Sequence, residues 1–102
     1  MTVEEALHTL TTAGLLCRAT EKEPLHILGG LELRATGITK GGVPVGIFKK
    51  SFGIVQQGET FEVRIWCETE EAELGLPDLE TAVARVLALY RGQGYLHPNV
   101  NP

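Results

Sequence analysis

Residues 60–67 read Thr-Phe-Glu-Val-Arg-Ile-Trp-Cys, and this two-residue alternation is the strongest constraint on what the chain can fold into. Phe61, Val63, Ile65 and Cys67 fall on one side, Glu62, Arg64 and Trp66 on the other, as in a strand with one face buried and one face wet. Trp66 departs from its set. A large apolar ring among charged side chains makes that face a candidate interaction surface.

A half-buried strand needs neighbours, and the flanking sequence supplies them. At the N-terminus, Thr2-Val3-Glu4-Glu5 fits a capping box, Val3, Ala6, Leu7 and Leu10 follow at helical spacing, and Gly14 suits the left-handed residue that ends a helix. A helix over residues 3–13 is expected. Residues 15–20 alternate as a short strand, and residues 21–24 form a polar turn. Leu25, Ile27, Leu31, Leu33 and Ala35 then alternate with His26, Leu28, Glu32 and Arg34, interrupted by Gly29-Gly30, which signals a bulge or sharp bend.

Residues 36–42 read as a glycine-rich connection and 43–50 as a strand. Pro44 lacks the amide a ladder requires, so the start of this strand is expected at a sheet edge. Residues 52–55 continue it or form a separate strand after a kink near Ser51-Phe52-Gly53. Gln56-Gln57-Gly58-Glu59 is a hairpin turn with positive φ at Gly58. Residues 68–75 carry four glutamates and few strand formers and read as a solvated loop. Asp78 is placed as an N-cap, and Leu79, Ala82, Val83, Val86, Leu87 and Tyr90 mark an amphipathic helix ending at Gly92.

The order is helix, strands, helix, with connections short enough to make neighbouring strands antiparallel. The fold class this implies is an α+β two-layer sandwich: an N-terminal helix, a four- to five-stranded antiparallel meander-like sheet and a C-terminal helix, with both helices on one face. Residues 1–93 read as one domain and 94–102 as a mobile tail from which Tyr95 and Leu96 can fold back. The expected core is Leu7, Leu10, Leu15, Ile27, Leu33, Val45, Ile47, Phe61, Val63, Ile65, Leu79, Val83, Val86 and Leu87.

Composition and spacing exclude several chemistries as expectations. The chain has 102 residues and a net charge of −4, which argues against nucleic acid as a partner, since binding it requires clustered cations. No apolar run approaches the ~20 residues of a membrane span, and the first residues carry glutamates where a targeting segment carries cations; a cytoplasmic location and no membrane partner are expected. His8, His26 and His97 show no metal-ligand spacing, and Cys17 and Cys67 fall on the core side of strands, where burial makes a thiol inert. The lysine of Gly37-Ile38-Thr39-Lys40-Gly41-Gly42 precedes its glycine pair, so this is no phosphate-binding loop. No catalytic residue, cofactor or metal is assigned, and the chain reads as non-enzymatic.

The helix–strands–helix order resembles the double-stranded-RNA-binding domain. That family offers a lysine cluster at the start of its second helix, whereas this helix opens Pro77-Asp78-Leu79-Glu80, so the resemblance covers element order and carries no RNA-binding function across.

If the odd positions of the strands meet the helices, the even positions form an open sheet face, from which Trp66, Phe48, Arg64, Leu28 and Arg34 are the candidate interaction residues. The function this favours is a protein-interaction or adaptor module acting through that face, with a protein partner or as a homodimer. The alternative is a small-molecule-binding protein or minor enzyme with a pocket between sheet and helices. For Trp66 the competing reading is a ring covered by Tyr95 and Leu96.

Overall fold

A computed structural model of the chain describes residues 1–20, 23–38, 40–42, 44–67 and 69–96, with the backbone alone for residues 33–38, 44, 45 and 47. The first helix, α1 (Val3–Ala13), begins where the capping box places it: the Thr2 hydroxyl accepts the Glu5 amide at 3.1 Å and the Glu5 carboxylate accepts the Thr2 amide at 2.8 Å. It ends at Gly14, whose φ of 112° lets its amide reach back to the carbonyls of Leu10 and Thr11. Ala6 and Leu10 are its buried residues.

The strands follow as β1 (Leu16–Ala19), β2 (His26–Gly30), β3 (Glu32–Ile38), β4 (Pro44–Lys49), β5 (Ser51–Gln57), β6 (Thr60–Trp66) and β7 (Glu70–Leu76), and the chain closes on α2 (Leu79–Gly92). Five strands make one antiparallel sheet in the order β1-β2-β5-β6-β7. The glycine pair is a true bend. After Gly30 the chain leaves the sheet, runs out and back as a separate two-stranded ribbon of β3 and β4, and re-enters at Ser51. The sheet is thus a meander with a ribbon inserted between its second and third strands.

One side of the sheet carries two apolar rows, Ile27–Ile54–Val63 and Gly29–Phe52–Ile65, set opposite each other by the register. Both helices cover this side, adding Ala6, Leu10, Leu79, Ala82, Val83, Val86, Leu87 and Tyr90 to one continuous core. Phe52, fully buried, meets the Tyr90 ring edge-to-face with centroids 6.1 Å apart. A β-carbon on Gly29 would fall 2.1 Å from the Leu16 carbonyl oxygen and 2.6 Å from the Phe52 ring, so only glycine admits the phenyl there. α2 starts on the expected cap, with the Asp78 carboxylate accepting the Thr81 amide at 2.7 Å.

Three expectations are corrected. Residues 70–76 are not loop but the edge strand β7. Its glutamates are held by groups remote in sequence: Glu73 accepts from the Arg85 guanidinium, Glu71 from the Gln93 side-chain amide at 2.6 Å, and Glu70 pairs with Arg64. Secondly, the glycine-rich connection is shorter than expected, because β3 continues to Ile38. The third concerns the core. Lys50 has φ of 50°, a left-handed conformation between β4 and β5, and after it Phe52 and Ile54 turn inward. Leu33, Val45 and Ile47 belong instead to the ribbon, where their side chains lie outside those described. Leu7 is partly buried.

Tyr95 and Leu96 fold back on the helical side: the Tyr95 ring meets Tyr90 edge-on, and Leu96 approaches Gly14. Residues 97–102 of the expected tail lie outside the described residues. No described helix is long and apolar enough to cross a membrane.

Phe52→Ala should cost about 3–5 kcal/mol, read as a lowered urea midpoint, because it empties the centre of the core. An unchanged midpoint contradicts this packing. Acid should also weaken the fold. The backbone amides and hydroxyls of Thr2 and Thr81 hold Glu5 and Asp78 below their ordinary values, and Arg85 does the same for Glu73. A lowered folded-state pKa gives stability that is present above the unfolded value and lost as pH falls through the folded one, so stability declines below about pH 4.5. Glu73→Gln should flatten that acid-side slope in denaturation measured across pH; an unaltered slope argues against the Glu73–Arg85 contribution.

Candidate interaction surface

The side of the sheet away from the helices is built from three parallel rows. The central one runs Arg18–Leu28–Gly53–Arg64–Ala72, flanked by Ser51–Trp66–Glu70 and by His26–Val55–Glu62. Leu28, Arg64 and Trp66 are brought together here, as the alternation requires. Phe48 and Arg34 are not: both lie on the ribbon, with Arg34 opposite Ile47 in its register, because the bend at Gly30 takes their segment out of the sheet. Phe48 stays half-buried near the ribbon's root, its β-carbon 3.0 Å from where one on Gly30 would stand.

Gly53 is the pivot of the face. A β-carbon there would lie 3.3 Å from Nε2 of His26 and 3.7–3.8 Å from the six-membered ring of Trp66, so imidazole and indole flank and cover the bare backbone. This contact seats the indole without hiding it. Trp66 keeps 42% of its surface exposed, with Leu16 at 46% and Leu74 at 70% on the same side of the sheet. Tyr95 and Leu96 sit on the helical side, so neither covers the indole.

Charge on the face is organised around Arg64. Its guanidinium donates through Nε to Glu62 at 2.9 Å, pairs with the same carboxylate through Nη2 at 2.8 Å, and reaches Glu70 on β7 at 3.2 Å. Hydrogen bonding and charge from Glu62, then Glu70, hold the guanidinium above its ordinary pKa. Glu62 also accepts from the Gln57 side-chain amide at 3.4 Å and is nearly buried although it belongs to the open face. One cation against two carboxylates leaves this margin acidic, whereas Glu71 and Glu73 of β7 lie on the helical side with Gln93 and Arg85.

Leu16, Gly53 and Leu74 belong to the surface but were not among the candidates from sequence. Leu74 has a signal, since Ala72 and Leu74 alternate with Glu71 and Glu73, but four glutamates masked it as loop. Gly53 has none, because its role depends on two side chains from other strands. Among the described residues, no group of three or more His, Cys, Asp or Glu converges as a metal site. Cys17 turns to the helical side, its thiol 3.6 Å from the Leu7 carbonyl. No protein-family description, curated protein or solved structure matches this chain.

The two sheet glycines should answer differently to a methyl group. Gly29→Ala should destabilise by about 1–3 kcal/mol because backbone and a buried ring must move, whereas Gly53→Ala, meeting the ends of two partly exposed side chains, should cost less than about 1 kcal/mol. Thermal unfolding of the pair checks the order; equal losses contradict the assignment of the two faces.

Proposed function

We propose that this chain is a non-enzymatic protein-interaction module that acts through its open sheet face, centred on Trp66. The observation that carries the reading is the indole itself, exposed yet seated on Gly53 beside His26, Leu28 and Arg64. Interface centres favour aromatic residues and arginine in an apolar setting with charge at the rim. Leu28 lies across from Gly53 in the same row as Arg64, exposed Leu16 and Leu74 add apolar surface on the two edge strands, and Glu62 and Glu70 hold Arg64. A ligand held between sheet and helices, the competing reading, would have to displace side chains that already fill that layer, among them Phe52, Ile54, Val86 and Tyr90.

Trp66 is the sole tryptophan, so its fluorescence reports this face alone. In a complex its emission should shift to the blue, and Trp66→Glu should abolish capture of the partner recovered with the wild-type protein from its native cell, while leaving the urea midpoint near wild type. Capture of the same partner by Trp66→Glu at equal yield overturns the proposal.

A further inference from the structure

His26 and Trp66 belong to strands that are not neighbours, yet their side chains end at one point. β5 lies between them, with Val55 opposite His26 on one side and Ser51 opposite Trp66 on the other, so the two residues approach Gly53 from diagonally opposed positions. Because Gly53 has no side chain, Nε2 of the imidazole and the six-membered ring of the indole both reach the space its β-carbon would occupy, at 3.3 Å and 3.7–3.8 Å. The backbone of His26 is pinned from both directions. Its amide donates to the Thr20 hydroxyl at 3.2 Å, and its carbonyl accepts the Thr20 amide at 2.9 Å.

The charged groups around this pair are placed by the register. On β1, Arg18 stands opposite Leu28, and in the turn before β2 Glu23 is exposed. On β6, Glu62 ends the row of His26 beyond Val55, and Arg64 lies opposite Gly53; these two are paired with each other, and Glu70 of β7 holds the other arm of the guanidinium. The outward residues of β5 beside the imidazole, Gly53 and Val55, carry no charge. Over Gly53 the imidazole therefore meets the indole, while the carboxylates of the face are turned to Arg64.

We infer that His26 and Trp66 form a pH-responsive pair, in which protonation of the imidazole charges the centre of the open face and weakens docking there. The inference rests on the open-face reading and adds its regulation. Histidine is the side chain that takes up a proton between about pH 8 and 5. As a neutral ring, the half-buried imidazole continues the apolar surface of the indole and Leu28. As an imidazolium it holds water that a group settling on the indole has to strip away. An imidazolium also accepts an electron from an excited indole far more readily than the neutral ring does, so it quenches the emission of a tryptophan it meets.

The emission of Trp66, the sole tryptophan, reads the pair without any partner. From about pH 8 to about pH 5.5, above the range in which acid weakens the fold, wild-type emission should fall to a lower plateau along a one-proton curve. His26→Gln, which keeps a polar side chain and removes the titrating ring, should stay level, with circular dichroism checking the fold of both proteins at each end. Level emission in the wild type, or an equal fall in His26→Gln, overturns the pair. Docking supplies the second readout. The partner recovered through Trp66 should bind wild type roughly tenfold more weakly at about pH 5.5 than at about pH 7.5, and His26→Gln should lose that dependence. Equal binding by wild type at both values, or a dependence that survives in His26→Gln, overturns the switch. Capture by Trp66→Glu at equal yield overturns the open-face reading and the docking consequence with it, whereas the emission curve needs no partner, so the two failures are distinguishable.

Discussion

The hydrogen bond from Tyr90 to the Lys50 carbonyl is the contact on which the rest of the arrangement turns. It joins the last turns of α2 to the point where the chain re-enters the sheet, and it holds a non-glycine residue at positive φ. From that residue onward Phe52 and Ile54 face the helices, and their partners across the ladders, Ile27, Val63 and Ile65, are buried with them. Burial pushes the Tyr90 phenol well above its ordinary pKa, which favours the neutral form that donates to the Lys50 carbonyl. The same contact roots the ribbon. Core register and ribbon direction therefore have one cause.

The open face follows from the core by alternation. With Phe52 and Ile54 inward, Gly53 must face outward, and His26 and Trp66 close over it. This accounts for a tryptophan in an otherwise charged set: part of its ring shields backbone, and the remainder is available. Arg64 is not available in the same way, since Glu62 and Glu70 already satisfy it. The face thus presents a half-exposed indole beside Leu28, next to a guanidinium already paired with Glu62 and Glu70.

Elements governed by local chemistry were legible in the sequence. The capping box at Thr2, the N-cap at Asp78 and the helical stripes fix both helices within a turn of their own residues, and the alternation of residues 60–66 fixes β6. Trp66, Arg64 and Leu28 could be grouped for the same reason. The failures share a different origin. β7 is a strand because β6 pairs with it and Arg85 and Gln93 hold its carboxylates, from positions 12 and 22 residues away. Phe48 and Arg34 left the face because Gly30 and Lys50 send the chain out of the sheet, and the tyrosine that holds Lys50 lies 40 residues later. The net charge of −4 is unevenly distributed, with +3 on residues 32–50 and −7 on the rest.

Urea denaturation of Tyr90→Phe tests the central claim most directly, because it removes only the hydroxyl that donates to the Lys50 carbonyl. A midpoint lowered by the equivalent of about 1–3 kcal/mol is the predicted result. A midpoint equal to that of the wild type would contradict it.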